Sequence, residues 1–327
     1  MIISRTPFRV SFFGGGTDYP AWYRKHGGAV LSTTFDKYTY ITCRWLPPFF
    51  THKYRVAYSK LEDVTKPAEI VHPAIRAVLT TYEGDQGIEL HSDADLPARA
   101  GLGSSSAFLV GLLNAIEGLH GKRVSPLWLA KEAMRYEQDV LAEHVGSQDQ
   151  VAAAYGGLNI IRFSTDDDIA VEPVVLSKQR KETLERHLML FFTGFSRNAP
   201  EIAKTQIDNI ESRAQELHAM FNMVGDALDI LTTEGDIRQF GEMLHQTWMN
   251  KRRLSQKITN ERIDGIYETA RQAGAIGGKL LGAGGGGFIL FFVEPEKQAA
   301  VKQAISDLLY VPFKLESGGS QIIYFSG

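Results

Sequence analysis

The chain opens on an alternating stretch. Over residues 1–13, Thr6, Phe8, Val10 and Phe12 share one face of a strand, and Arg5, Pro7, Arg9, Ser11 and Phe13 share the other, so Arg9 points with Ser11 away from the apolar face. The alternation stops at Gly14-Gly15-Gly16-Thr17-Asp18, a turn with no room for bulk at its bend, and a short helix follows from about Tyr19 to His26. Between 27 and 59, GGAVLSTTF, KYTYITCRWL and KYRVAYS have the β-branched and aromatic content of strands separated by Gly and Pro. HPAIRAVLTTY (72–82) predicts a helix, and IELHSDA (88–94) a strand that feeds a glycine loop. Strands followed by helices imply a mixed sheet covered on one face.

Helix formers run on from Ala107, and a further helix follows Pro126. There Ala130, Met134, Glu137 and Leu141 fall at i, i+4, i+7 and i+11, which puts a carboxylate in the middle of an apolar stripe. The most polar interval of the middle chain, 163–182, marks a junction between domains at 1–175 and 176–327. Beyond it, HLMLFFTG (187–194) predicts a buried strand, 200–252 two long helices and 260–274 a third. Residues 277–293 read as a glycine-dominated turn running directly into a strand. A helix near 295–309 and the strands VPFKLE and QIIYF close the chain, with no internal repeat or low-complexity tract.

Composition narrows the classes of function. A chain of 327 residues with 44% apolar content can fill two cores. A net charge of -3 with both signs dispersed leaves no basic patch for nucleic acid and no Lys/Arg block for acidic lipid. Cys43 is the single cysteine, which excludes an intramolecular disulfide and a Cys-rich zinc site and reads as a packed core thiol. With no signal-like start and no apolar run longer than FILFFV (288–293), the expected location is cytoplasmic, away from membranes.

Candidate chemistry gathers in a few stretches. In PARAGLGSSSAFLVGLLNAI (97–116), Gly101 and Gly103 let consecutive N–H groups turn toward one anion at the positive end of a helix. Ser104, Ser105 and Ser106 add hydroxyls, one of which can ligate a metal ion. A buried Glu137 must be paired, hydrogen-bonded or metal-bound. Twelve residues on, Asp149 lies between two glutamines. Arg9 and Asp18 bracket the first glycine turn and can grip a polyhydroxylated ligand. Arg197, just past a strand end, is a candidate to hold a phosphate group on a substrate. The glycine run at 277–287 fails as a dinucleotide fingerprint because it precedes a strand instead of opening a helix; it suits a loop lying against another loop or a ligand. Plain structural roles stay open: helix caps for Asp18, Asp149 and the serines, and a stripe-edge position reaching water for Glu137.

Taken together, TPFRVSFFGGGTDYP, PARAGLGSSSAF, GSQDQVAAAYGG and KLLGAGGGGF, in this order, resemble the GHMP family of small-molecule kinases over nearly the whole chain. The resemblance implies an α+β, two-domain fold with mixed sheets, helices packed on one face and an active site in the cleft between the domains. By it, Gly101, Leu102, Gly103, Ser104, Ser105, Ser106 and Ala107 bind the triphosphate of ATP, and Ser105 and Glu137 hold Mg²⁺. It makes Asp149 the acid beside the acceptor hydroxyl, with Arg9 near it, and Gly15, Gly16, Thr17 and Asp18 contacts to the sugar. The loop with Lys279, Gly282, Ala283, Gly284, Gly285 and Gly286 then shapes the site from the second domain. Within the family the motif versions look most like the sugar 1-kinases of nucleotide-heptose synthesis, and fucose-type kinases share much of them. The implied reaction is phosphoryl transfer from MgATP to the anomeric hydroxyl of a small sugar phosphate, a heptose 7-phosphate first, with room for a homodimer. Galactokinase-like members carry Glu-His where this chain has Gly15-Gly16, which argues against galactose. A sensor of ATP and sugar on the same fold is the alternative, and the presence of both Asp149 and Arg9 speaks against it.

Overall fold

The computed structural model describes residues 1–98, 100–194 and 199–326. Strand β1 (Ile2–Phe13) carries large side chains to bury on both faces, and it takes an interior place in a sheet, with Val10, Phe12 and Phe13 all fully buried. After α1 (Pro20–His26) comes β2 (Gly28–Leu46), which pairs antiparallel with β1 along nearly its whole length. Strands β3 (Tyr54–Ala57) and β4 (Leu61–Val64) form a hairpin, α2 (Pro73–Thr81) follows, and β5 (Gly87–Ala94) returns antiparallel to β2 and parallel to β3. Helix α3 (Ser104–Leu119) packs on β1 and β2, and α4 (Pro126–Met134) packs on α5 (Gln148–Tyr155). Strands β6 (Leu158–Phe163) and β7 (Ile169–Pro173) widen the sheet: the first part of β2 pairs with β6, the last part with β5.

Helix α6 (Lys178–His187) leads to β8 (Leu188–Phe192), the start of a second sheet. Helices α7 (Ala199–Asp208), α8 (Ala214–Thr232), α9 (Arg238–Leu254) and α10 (Glu261–Gln272) precede β9 (Ala275–Leu280) and β10 (Phe288–Val293). With α11 (Gln298–Ala304) and β11 (Leu309–Val311) the sheet closes in the antiparallel order β11-β8-β10-β9. The last strands leave it. β12 (Leu315–Glu316) pairs with β2 and β13 (Gln321–Phe325) with β1, so the C-terminal residues complete the first sheet. The two sheets meet where Phe240 of α9 lies edge-on to both Phe12 and Phe13, at 5.3 and 5.0 Å between ring centres. Cys43 is buried in this core, and no helix among the described residues is long and apolar enough to cross a membrane.

The α+β architecture with a mixed sheet matches the pattern of the sequence, and three details differ from it. Residues 200–252 form three helices because the chain breaks at 209–213. There the Asn209 amide donates to the Leu254 carbonyl at 3.0 Å and Ser212 Oγ to the Asn209 carbonyl at 2.9 Å, local bonds that compete with helix continuation. Pro312 splits the VPFKLE segment between the two sheets. Gly277, Gly278 and Lys279 belong to β9, not to the glycine turn, so that turn joins two strands as a hairpin. A Cβ on Gly277 would lie 1.9 Å from the Gly241 carbonyl, so glycine is what lets α9 lie with its backbone against β9.

Candidate active site

Gly101 (φ 83°) and Gly103 (φ 73°) hold the left-handed conformations that turn the loop before α3. Each also faces a close neighbour where a side chain would begin. A Cβ on Gly101 would sit 2.7 Å from the Leu281 carbonyl of the turn between β9 and β10, and one on Gly103 would sit 3.2 Å from both Arg9 Cγ and Asp149 Oδ2. The N-terminus of a 16-residue helix thus opens between the third glycine motif on one side and an ion pair on the other. The approach is reciprocal, since a Cβ on Gly282 (φ 68°) would lie 2.4 Å from Gly101 Cα. Gly282→Ala is therefore expected to prise the two loops apart at a cost of about 2 kcal/mol of stability. Chemical denaturation checks it, and an unchanged midpoint would show that the loops do not bear on each other.

Arg9 and Asp149, 140 positions apart, form a two-pronged pair: Nε donates to Oδ1 and Nη2 to Oδ2, both at 2.7 Å. Arg9 Nη1 donates to the Gly101 carbonyl at 2.9 Å, and the Arg9 backbone N–H to the Leu102 carbonyl at 3.2 Å, which ties the pair to the glycine loop. Arg9 is 4% exposed and the Asp149 side chain 24%, so the carboxylate is the member that a ligand can reach. Asp149 sits in the first turn of α5, where the helix dipole favours its charge.

Asp18 is buried beside this pair. Its Oδ1 accepts from the Gly16 N–H at 2.9 Å and its Oδ2 from the Gln148 N–H at 3.4 Å, so it braces the turn after β1 against the loop that carries Asp149. Burial, and after it the charge of Asp149, raises its pKa. Gly15 is partly exposed, and the position its Cβ would take lies 3.7 Å from Ser11 Oγ and 3.8 Å from Gln148 Nε2. Ser11 Oγ and Gln148 Oε1 have no hydrogen-bond partner among the described residues. Thr17, expected as a substrate contact, is wholly buried instead. Its hydroxyl donates to the Gly14 carbonyl at 2.7 Å and accepts from the Ala29 N–H at 3.1 Å, so it is spent on closing the turn.

Glu137 reaches the buried position that the apolar stripe predicts, by a different helix. The α-helix ends at Met134, and Arg135–Val140 form a π-helical turn closed by the Leu141 N–H bonding the Tyr136 carbonyl at 2.8 Å. Such widened turns recur at functional sites. Ser106 Oγ donates to Glu137 Oε2 at 2.8 Å, Gln150 Nε2 donates to the same oxygen, and Oε1 has no partner among the described residues. Burial pushes the Glu137 pKa up to about 7, against the pull of the two hydrogen bonds. The orphaned carboxylate oxygen and the adjoining serine fit a Mg²⁺ ion, which takes one or two carboxylates and completes its shell with phosphates and water. The serine that meets Glu137 is Ser106. Ser105, the expected ligand, lies on the exposed side of the helix start.

Lys279, expected in the third loop, lies on β9 with its Nζ bonded to the Phe12 carbonyl at 2.9 Å. Ala283 and the glycines 282 and 284–286 do form the turn, and the Ala283 carbonyl accepts from Gln206 Nε2 at 2.6 Å. Arg197 lies outside the described residues. Four side chains beside these were not singled out as site residues: Ser11, Gln148, Gln150 and Lys251. Lys251 was legible, because it falls on the apolar stripe of α9 with Phe240, Leu244 and Trp248, as Glu137 falls on its own stripe.

Residues 69–157 match the family of GHMP kinases N terminal domain, and residues 227–311 match GHMP kinases C terminal, together more than half of the chain. The sequence is 29% identical to D-glycero-alpha-D-manno-heptose 7-phosphate kinase of Campylobacter jejuni, over 93% of each chain. It is 25% identical to a galactokinase of Pyrococcus furiosus, over 93% of this chain and 92% of that one. Its fold superimposes with a TM-score of 0.81 at 23% identity, over the whole of both chains, on a crystal structure described as a D-glycero-D-manno-heptose 1-phosphate kinase from Bacteroides thetaiotaomicron.

Proposed function

This chain belongs to the GHMP kinases, and from that premise we propose that it transfers the γ-phosphoryl group of MgATP to the anomeric hydroxyl of D-glycero-D-manno-heptose 7-phosphate. The observation that carries the reading is the Arg9–Asp149 pair lying against Gly101 and Gly103 at the mouth of α3. Phosphoryl transfer asks a protein chiefly for alignment and for charge stabilisation. The turned amides of 101–106, at the positive end of α3, bind the triphosphate. Glu137 and Ser106 would hold Mg²⁺, which supplies charge neutralisation at the β- and γ-phosphates when bound.

Asp149 accepts a hydrogen bond from the anomeric hydroxyl and takes its proton as the oxygen–phosphorus bond forms and the bond to the β-phosphate oxygen breaks. Arg9 fixes both oxygens of that carboxylate with a two-pronged, charge-assisted pair of hydrogen bonds. Asp18 sets the position of the Asp149 loop from below. Ser11 Oγ and Gln148 Oε1 offer unused polar atoms around Gly15, and they meet further hydroxyls of the sugar in space that a side chain at 15 would fill. The products are ADP and a sugar 1-phosphate.

A panel assay of ADP release tests the acceptor. Heptose 7-phosphate is expected to exceed galactose and fucose by at least about tenfold in kcat/KM, the scale of one well-placed polar contact. Equal or better turnover of fucose or galactose would overturn the heptose assignment, and no ADP from any sugar would overturn sugar phosphorylation itself.

A further inference from the structure

Lys251 belongs to α9, on a buried face that it shares with Phe240, Leu244, Thr247, Trp248 and Leu254 and on which it is the one charged member. An ordinary lysine on such a face snorkels to water; this one is 7% exposed and turns inward. Its Nζ donates to the Leu280 carbonyl at 2.9 Å and to the Gly282 carbonyl. Those two peptides flank Leu281, whose own carbonyl oxygen occupies the place where Gly101 lacks a side chain. Lys251 therefore grips the third glycine turn on both sides of its point of contact with the phosphate loop.

We propose that Lys251 is a positioning residue for the kinase reaction, a clamp that seats the 281–287 turn on the Gly101 loop and closes more tightly when nucleotide anion draws a proton onto its amine. The charges that face it come from four other elements. Arg9 on β1 repels its positive form, Lys279 on β9 faces it as a second buried amine, and Asp18 in the turn after β1 and Asp149 on α5 attract it. Both carbonyls that Lys251 grips belong to the main chain. Burial first, and the Arg9 charge after it, push the Lys251 amine down to about 7, while burial pushes Lys279 down as well. Near neutral pH the ligand-free clamp is thus divided between an amine and an ammonium, and the triphosphate's negative charge at the adjoining loop shifts it to the ammonium. Linkage makes the effect reciprocal: nucleotide binds more tightly to the protonated clamp, and its affinity falls as pH rises above the ligand-free pKa.

The experiment is calorimetric titration of the full chain with metal-free ADP, so that no proton leaves Glu137 for a metal. It is run at pH 7.5 in two buffers of different ionisation enthalpy, which yields the protons taken up per ADP bound. The wild-type chain is expected to take up roughly two thirds of a proton, and between pH 7.5 and 9, above the last phosphate ionisation of the nucleotide, its affinity should fall about fivefold. Lys251→Arg keeps the charge and cannot release it, so it should bind without that uptake and with a flat profile. Lys251→Met should bind about tenfold more weakly at pH 7. Equal proton uptake in the wild type and Lys251→Arg would overturn the proposal. So would a flat wild-type affinity between pH 7.5 and 9, a measurement that needs no variant to fold.

Discussion

Asp149→Asn is expected to lower kcat at least about 10²-fold while leaving KM for ATP within about threefold. The two parts of this outcome come from different places in the structure. Asparagine keeps the shape of the side chain and one acceptor for the Arg9 fork, so the loop of 146–149 and the turned amides at Gly101 and Gly103 stay where they are, and ground-state nucleotide binding persists. What it loses is the ability to receive the acceptor's proton and the negative charge that Arg9, 4% exposed and tied to the Gly101 carbonyl, is arranged to meet. Thermal melting should show a loss of stability too, because a nearly buried guanidinium keeps only a neutral partner. Initial rates with saturating sugar check the prediction. Turnover near that of the wild type would remove Asp149 from the chemistry and leave it as a brace for Arg9.

The long-range part of this site was legible wherever a residue broke a period. Glu137 shows as an acid on a helical stripe, because burying a charge is costly enough that sequences place one in such a position for a reason; Arg9 breaks no period, being one of two arginines on the same face of an alternating strand, and is marked by its place before the first glycine turn. Lys251 is marked on α9 in the same way as Glu137. Gly101 and Gly103 are legible as a turn, yet only the fold shows what they make room for: the Leu281 carbonyl on one side and the Arg9–Asp149 pair on the other. Several features have no local signature. The return of β13 to β1 is a pairing between the two ends of the chain, and β13 alternates no differently from a strand of the second sheet. The π-helical turn at 135–140 changes which way Glu137 points without changing the composition that predicts a helix. Thr17 and Asp18 are equally polar in the sequence, and only their hydrogen bonds separate a hydroxyl consumed by Gly14 and Ala29 from a carboxylate that braces the loop bearing Asp149.

Glu137→Gln is expected to move activity and stability in opposite directions. The glutamine keeps an oxygen to accept from Ser106, but it has no charge to offer a divalent cation, so kcat/KM at fixed MgATP should fall about 10²- to 10³-fold and higher Mg²⁺ should not restore it. Without metal the wild-type carboxylate is a burden. Its pKa stands at about 7 in the folded chain against an ordinary 4.5, so between those values the folded state holds a proton that the unfolded state has released. The stability linked to that proton is fully present below the unfolded pKa and is lost as pH rises through the folded one, amounting to about 3 kcal/mol by pH 8. A neutral glutamine carries no such penalty, so metal-free Glu137→Gln should unfold at a higher urea concentration than the wild type at pH 8, with the gap closing toward pH 5. In the wild type the same proton competes with the cation, and at limiting Mg²⁺ the rate should fall as pH drops below about 7 and recover when Mg²⁺ is raised. Equal stability of the two chains at pH 8 would mean that Glu137 is ionised at no cost in the fold, and a Glu137→Gln enzyme rescued by Mg²⁺ would place the metal on other residues.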